Sequence, residues 1–244
     1  MGTVILLRHA RSAANGSGTL AGRAPHVELD ETGRKQAAGL VGRLAAVPLA
    51  GLVRSPMLRC AQTLTALASE RALRPVEEPD LSEVDYGDWT GKQLSDLMAE
   101  PLWRVVQAHP SAAVFPGGEG LAGVQARAVA ALRRHDLRIT AQAGEQAIWL
   151  LCSHGDVIKS ILADALGQHL DAFQRIVVDP GSISVVRYTS LRPFVLGLND
   201  NAGDLTGIVP EPPSPGESSD AGQSGAGQSG AGQSDAPVGG TTGG

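Results

Sequence analysis

Short apolar runs alternate with amphipathic segments along the first two hundred residues. The runs at 3–9, 49–56 and 145–155 are nearly continuous and rich in branched residues, which predicts buried strands of a parallel sheet. Helical spacing of apolar residues predicts helices over 30–47, 56–70, 94–110 with a break at Pro101, 119–140 and 156–170. The segment 74–81 is extended, 82–93 is a polar loop, and 181–190 and 192–200 are two closing strands. This alternation indicates an α/β protein, a three-layer α/β/α sandwich with a mainly parallel sheet and helices on both faces.

The last part of the chain has a different composition. From about Pro210 it consists almost only of Gly, Ser, Pro, Gln, Ala and Asp, and the segment "GAGQS" repeats. Such a segment cannot bury enough apolar surface to offset the entropy of ordering it. We therefore predict one domain over 1–207 and a disordered Gly/Ser/Gln/Pro-rich tail over 208–244.

Charge and composition exclude several classes of partner. The 244-residue chain has a net charge of −5, which predicts no nucleic acid partner and no attraction to a membrane surface. Only two cysteines occur, so no disulfide framework is indicated. No apolar run has the length of a membrane span or the pattern of a signal sequence. A cytoplasmic protein is expected, and the sequence leaves a homodimer open.

Charged side chains follow the predicted strands at the points where ligands bind in such folds. The first strand ends on Arg8 and His9, and the third ends on Ser153, His154 and Gly155. Arg59 lies one turn into the helix that follows the second strand. The carboxyl ends of parallel strands meet at one edge of the sheet, so the two histidines and the two arginines are expected together. The planar guanidinium group of arginine forms directional, bidentate hydrogen bonds to oxyanions. The two arginines therefore indicate an anionic ligand.

Four separated segments resemble the histidine phosphatase superfamily, also called phosphoglycerate mutase-like. They are "LLRHARSAAN", "SPMLRCAQT", "SEVDYGDWTG" and "SHGDVIK", in the order of the family, and the likeness spans 1–205. Ala10 stands where glycine is commonest in that family. The resemblance is to the phosphatase branch and implies the family's fold.

The resemblance also implies roles for individual residues. His9 is the expected nucleophile, which forms a phosphohistidine, and Arg8, Arg59 and His154 surround the phosphoryl oxygens. Asn15 either donates a further hydrogen bond to the phosphate or caps a helix or turn. Glu83 matches the family's proton donor.

Several assignments near the site are less specific. Asp85 competes with Glu83 as the proton donor. Gly22 and Arg23 lie where the family's loop meets the substrate, and Arg23 either reads a second anionic group or is solvated. Tyr86 and Trp89 are expected to pack the loop onto the domain.

Other candidate residues are given structural roles. The remaining histidines have no metal-ligand spacing, and surface or capping positions are expected for them: His26, His109, His135 and His169. Cys152 is expected to be a small buried residue. No metal site and no cofactor are predicted.

The predicted function is that of a metal-independent phosphomonoesterase of the histidine acid phosphatase type, acting on a small phosphorylated metabolite. A cofactor-dependent phosphoglycerate mutase is the first alternative. The mutases carry an arginine directly after the acid and a basic residue beyond the next glycine, whereas Val84 and Leu94 stand here. A non-catalytic regulatory or binding protein is the second alternative, although the core site residues are all present.

Overall fold

The computed structural model describes residues 1–202 of the chain. The predicted tail over 208–244 lies outside the described residues, as does the end of the predicted domain. Within residues 1–202, no helix is long and apolar enough to cross a membrane.

A six-stranded sheet forms the middle layer. In chain order its strands are β1 (Thr3–Arg8), β2 (Leu49–Arg54), β3 (Val76–Glu77), β4 (Ile148–Ser153), β5 (Ile183–Arg187) and β6 (Phe194–Asp200). The spatial order is β3-β2-β4-β1-β5-β6. Strands β3, β2, β4 and β1 are mutually parallel, whereas β5 and β6 are antiparallel to their neighbours. The α/β prediction with a mainly parallel sheet is confirmed.

Seven helices connect and cover the strands within residues 1–202. They are α1 (Ala13–Gly16), α2 (Glu31–Arg43), α3 (Leu58–Glu70), α4 (Leu94–Leu97), α5 (Pro101–Ala108), α6 (Leu121–Ala143) and α7 (Gly155–Ala165). The break predicted at Pro101 separates α4 from α5. The last predicted helix ends at Ala165 and not at Leu170, because Gly167 takes a φ of +65° and turns the chain.

Alternation along β1 divides the core into two layers. Val4 and Leu6 are fully buried against α6 and α7, whereas Ile5 and Leu7 pack against α2 and α3 on the opposite face. Each such side chain contributes about 1.5–3 kcal/mol by its burial. The register that fills both layers therefore also fixes where β1 ends, and Arg8 and His9 are presented at that end.

Candidate active site

The carboxyl ends of β1 and β4 and the first turns of α3 and α7 meet at one edge of the sheet. The backbone N–H of His9 donates to the carbonyl of Ser153 at 2.9 Å, which extends the β1–β4 pairing to the site. α3 begins one residue before Arg59, and His154 is the N-cap of α7. The positive ends of two helices thus point toward the same space, which favours an anion.

The predicted core residues come together and are almost completely buried. Arg8, His9, Arg59, Glu83 and His154 are each at most 5% exposed. Each of these five buried ionisable side chains must either have a polar or oppositely charged partner or be uncharged, since burying an isolated charge costs a large desolvation free energy.

Hydrogen bonds fix the tautomer of His9. Its Nδ1 lies 2.8 Å from the carbonyl oxygen of Ala10, and its Nε2 lies 3.2 Å from Nε of Arg59. A carbonyl only accepts and a guanidinium N–H only donates, so Nδ1 carries the proton and Nε2 presents a lone pair. Burial, followed by the charges of Arg59 and Arg8, holds the pKa of His9 well below its usual value of 6.5. The imidazole is therefore neutral and nucleophilic at neutral pH.

Arg59 links the two histidines. Its Nη2 donates to the carbonyl oxygen of Gly22 at 2.9 Å and lies 3.0 Å from Nδ1 of His154. Thr63, one turn later on α3, donates its hydroxyl to the Arg59 carbonyl at 2.6 Å and accepts from the N–H of Ala10 at 3.0 Å. The end of β1 and the start of α3 are thereby held at a fixed separation.

His154 is fully buried and faces both Arg59 and Glu83. Its Nε2 lies 2.7 Å from the Ser55 hydroxyl, and its Nδ1 lies 3.8 Å from Oε2 of Glu83. Burial is the largest cause that lowers the pKa of His154 well below 6.5, and the charge of Arg59 is the next. Since Nδ1 accepts from Arg59, the ring proton is on Nε2 and Ser55 accepts it.

Glu83 keeps its proton to a higher pH than an ordinary carboxyl group does. Burial, followed by the charge of Asp156, raises its pKa from 4.5 to about 7. Its Oε1 accepts from the N–H of Val84 at 2.9 Å, which holds the carboxyl group toward His154. Desolvation and a like charge both disfavour the ionised form.

Asp156 is a buried acidic residue to which the sequence analysis gave no role. It lies on α7 two residues after His154, and the Tyr86 hydroxyl donates to its Oδ2 at 2.8 Å. The buried Lys159 lies 3.8 Å from its Oδ1 and donates to Gln174 at 3.0 Å. The segment "SHGDVIK" would read the same whether Asp156 faced inward or were solvated on the first turn of a helix, so the sequence did not reveal its position.

A second group missed by sequence reasoning fixes the loop that carries Glu83. The carboxylate of Glu119 accepts from Arg23 at 2.8 Å, from Arg127 at 2.6 Å and from the N–H of Asp85 at 2.9 Å. Both arginines also donate to the carbonyl oxygen of Glu83, at 2.8 and 3.3 Å. The backbone of Glu83 is therefore clamped from two sides.

These contacts bear on Arg23 and Asp85. Arg23 has three acidic or carbonyl partners, since Asp85 lies 3.8 Å from its Nη1. Its side chain is still 37% exposed at the surface of the loop. Asp85 accepts from the N–H of Gly87 at 3.1 Å and has a half-exposed side chain, whereas Glu83 is buried beside His154. The geometry favours Glu83 over Asp85 as the carboxyl group in the cluster.

Gly22 and Asn15 border the site. Gly22 has a φ of +49°, and a Cβ there would lie 2.9 Å from the Thr90 hydroxyl, so the position requires glycine. Asn15 forms a capping box with Ser12, whose N–H and hydroxyl donate to its Oδ1 at 3.0 and 2.8 Å. The capping role of Asn15 is present, and its NH₂ group is the end that can donate to a phosphate.

The packing roles assigned to Tyr86, Trp89 and Cys152 agree with the structure, because all three are at most 3% exposed. The surface role assigned to His135 is wrong. That side chain is largely buried near Trp149 and lies 2.8 Å from Glu78, because helix α6 turns it toward the sheet.

A family model for the histidine phosphatase superfamily (branch 1) matches residues 4–201, which run from the second residue of β1 past the end of β6. The chain belongs to the histidine phosphatase superfamily. The resemblance drawn from the four segments is thus confirmed.

Two of the named relatives that resemble this chain over most of its length are phosphatases. Phosphoserine phosphatase 1 of Hydrogenobacter thermophilus is 30% identical over 199 residues, covering 80% of this chain and 91% of the relative. The adenosylcobalamin/alpha-ribazole phosphatase of Escherichia coli is 29% identical over 202 residues, covering 81% and 95%. The solved structure of Bacillus stearothermophilus YhfR has a TM-score of 0.75 at 25% identity, covering 82% of this chain and 98% of that one. The two relatives named as phosphatases support a histidine-phosphatase-type phosphatase.

Proposed function

We propose that the protein is a metal-independent phosphomonoesterase that forms a phosphohistidine on His9 and hydrolyses a small phosphorylated metabolite. One observation carries the proposal. The unprotonated Nε2 of His9 shares a buried cluster with Arg59 and His154, and His154 lies beside a carboxyl group whose pKa is raised to about 7.

In the first step, the Nε2 lone pair of His9 attacks phosphorus and the bond from phosphorus to the ester oxygen breaks. Arg59 and Arg8 donate to the non-bridging oxygens, and the Arg59 Nε–H turns from His9 to the phosphoryl group. His154 lies beside them and donates to a phosphoryl oxygen when its Nδ1 carries a proton. Glu83 gives its proton to the leaving oxygen. Fixed donors of this kind are typically worth on the order of 100- to 1,000-fold each in rate.

In the second step, the Glu83 carboxylate accepts a proton from water as the water oxygen attacks the phosphohistidine. The phosphorus–nitrogen bond breaks, inorganic phosphate leaves, and His9 regains its lone pair. A pKa near 7 suits both halves of this cycle, because the group must donate and then accept a proton at neutral pH.

The residues of the site supply the positive charge for phosphoryl transfer in the proposed mechanism. Two buried arginines and two helix N-termini supply the positive charge that a phosphoryl group requires.

Hydrolysis is favoured over phosphoglycerate mutase activity by the surroundings of Glu83. Val84 is fully buried and offers no donor for a substrate carboxylate. Arg23 is bound to Glu119 and to the Glu83 carbonyl, so its guanidinium is largely committed within the protein. A small monoester held by one end leaves after phosphoryl transfer, and water takes its place.

The test compares wild type with His9→Ala and Glu83→Gln on p-nitrophenyl phosphate and on alkyl phosphates, with and without EDTA. We expect His9→Ala to be inactive and EDTA to have no effect. Glu83→Gln should lose about 100- to 10,000-fold on alkyl phosphates and much less on the nitrophenyl ester, whose leaving group needs little protonation. An equal loss on both esters would show that Glu83 does not protonate the leaving group, and Asp85 would then be the candidate acid. Activity of His9→Ala would refute the phosphohistidine mechanism.

A second assay separates hydrolase from mutase and from a non-catalytic protein. The purified protein is given 3-phosphoglycerate with 2,3-bisphosphoglycerate, and both 2-phosphoglycerate and free phosphate are followed. Isomerisation that is about tenfold faster than phosphate release would refute the phosphatase proposal. Absence of turnover on a broad panel of phosphorylated metabolites would favour the regulatory alternative.

A further inference from the structure

Ser55 follows directly after β2, lies beside the ring of His154 and is fully buried. Its hydroxyl oxygen lies 2.7 Å from Nε2 of His154. The sulfur of Cys60 lies 3.7 Å from the same nitrogen, but a thiol is a weak hydrogen-bond acceptor. Ser55 is therefore the strong partner of Nε2. The sequence analysis included Ser55 in the segment "SPMLRCAQT" and gave it no role of its own.

The main chain holds the Ser55 hydroxyl in a fixed place. The N–H of Ser55 donates to the carbonyl oxygen of Cys152 at 2.9 Å, which continues the pairing of β2 with β4 by one residue. Its carbonyl oxygen accepts from Arg54 at 2.9 Å, and its hydroxyl oxygen accepts from the N–H of Met57 at 3.3 Å. The following residue is Pro56, and a proline restricts the backbone of the residue before it. The hydroxyl group is thus in position before any substrate binds.

The contact with Ser55 decides which nitrogen of His154 faces the other site residues. With Nε2 turned to Ser55, Nδ1 lies 3.0 Å from Nη2 of Arg59 and 3.8 Å from Oε2 of Glu83. Rotating the ring by half a turn about its bond to Cβ would place carbon atoms at both positions, and both nitrogen contacts would be lost. Arg59 holds one side of the ring, and Ser55 holds the other.

A hydroxyl group suits this position because it both accepts and donates a hydrogen bond. While Arg59 donates to Nδ1, Ser55 accepts the proton of Nε2. In the proposed reaction, Arg59 turns to the phosphoryl group and His154 donates from a protonated Nδ1. Ser55 then accepts from Nε2 if the ring carries two protons, and donates to Nε2 if the ring carries one. Nε2 keeps a partner in each case, and a buried polar atom without a partner is costly.

We propose that Ser55 is a positioning residue of the phosphatase reaction, whose hydroxyl group orients the His154 ring and keeps Nε2 paired while Nδ1 serves a phosphoryl oxygen. Ser55 acts through His154, because the hydrogen bond at one ring nitrogen fixes the state and direction of the other. The catalytic part of this inference rests on the proposed function. The orientation of the ring in the free protein does not.

The ring nitrogens of His154 report the orientation directly. Two-bond proton–nitrogen correlation spectra of the full chain, made with isotope-labelled histidine, distinguish a protonated from an unprotonated ring nitrogen. The signals missing from His154→Gln assign the ring. We expect wild type to have a protonated Nε2 and an unprotonated Nδ1. In Ser55→Ala the two nitrogens should become more alike, because two orientations and tautomers are then populated, and Ser55→Thr should restore the wild-type pattern.

Kinetics test the consequence for the reaction. Ser55→Ala should lower kcat/KM for p-nitrophenyl phosphate about 10- to 100-fold, as removal of the hydrogen-bond partner of a metal-binding histidine does in comparable cases. Inhibition by inorganic phosphate should weaken by about tenfold, since His154 contacts the phosphoryl group. Ser55→Thr keeps a hydroxyl group and should recover most of the activity.

Ser160→Ala is the matched control. Ser160 is also fully buried, but its hydroxyl donates to a main-chain carbonyl of α7 at 2.8 Å, so this variant should behave as wild type. The melting temperature of each variant shows whether it is folded. If Ser55→Ala does not fold, Ser55→Cys takes its place, because a thiol has nearly the same size and forms weaker hydrogen bonds. It should change the spectra and the rate in the same direction by a smaller amount.

Two results would overturn the proposal. A His154 pattern in Ser55→Ala identical to that of wild type would show that Arg59 alone fixes the ring. A Ser55→Ala variant as active as wild type would show that the hydroxyl group does not assist the reaction. An inactive wild type would instead refute the proposed function, and the ring spectra would still decide whether Ser55 orients His154.

Discussion

Replacing Glu83 with glutamine is expected to stabilise the folded protein above pH 7 and to leave its stability near pH 5 almost unchanged relative to wild type. Burial and Asp156 raise the pKa of Glu83 from 4.5 to about 7. The folded state therefore holds the Glu83 proton more tightly than the unfolded state does. Stability from this group is complete below pH 4.5 and is lost as the pH rises through about 7.

The size of the effect follows from the difference between the two pKa values. Each pKa unit corresponds to about 1.4 kcal/mol, so the ionised Glu83 costs on the order of 3 kcal/mol of folding free energy above pH 7. Glutamine has nearly the same shape and cannot ionise. The variant should thus exceed wild type by up to roughly 3 kcal/mol at pH 8.

Urea denaturation of wild type and Glu83→Gln between pH 5 and pH 8 measures this difference. The pH 5 comparison accounts for any change in packing, and the buried His9 and His154 titrate in both proteins. Glu70→Gln, at an exposed end of α3, is the matched control for the effect of a Glu-to-Gln substitution on the denaturation measurement. A Glu83→Gln difference that is flat between pH 5 and pH 8, or that falls as the pH rises, would refute a raised pKa at Glu83.

Other predictions follow from the same contacts. Asp156→Asn should lower the pKa of Glu83 and shift the alkaline limb of the pH–rate profile for alkyl phosphates to lower pH; an unchanged limb would argue against its influence. Arg59→Lys should reduce kcat/KM on the order of 100- to 1,000-fold, since lysine cannot contact both histidines, whereas Arg134→Lys on the surface should behave as wild type. Truncation after Gly207 should leave the melting temperature and the phosphatase rate nearly unchanged, and a loss of several degrees would show that the tail contacts the domain.

Much of the fold was predictable because it depends on local patterns. Continuous branched runs predicted β1, β2 and β4, and helical spacing of apolar residues predicted α2, which Asp30 caps in the structure. The positions of Arg8, His9 and His154 at strand ends then followed from the geometry of parallel sheets. The ends of elements, such as the end of α7 at Ala165, depend on the backbone conformation of single residues, which the periodicity of apolar residues does not reveal.

The sequence left two candidates for the proton donor, and the reason is physical. Glu83 and Asp85 are two residues apart in one loop, and their chemistry is the same. Their difference arises from burial, because Glu83 lies beside His154 and Asp85 faces Arg23 near the surface. That burial depends on Glu119 and Arg127, which are more than thirty residues away along the chain.

The sequence by itself determined the order of strands and helices, the family, and the identity of the side chains at the strand ends. These depend on short-range periodicity and on motifs of a few residues. Only the tertiary structure decided that His9 presents Nε2 as a lone pair and that Asp156 faces inward to raise the pKa of Glu83. Each of these depends on contacts between residues distant in the chain, since desolvation and hydrogen bonding are set by what packs around a group.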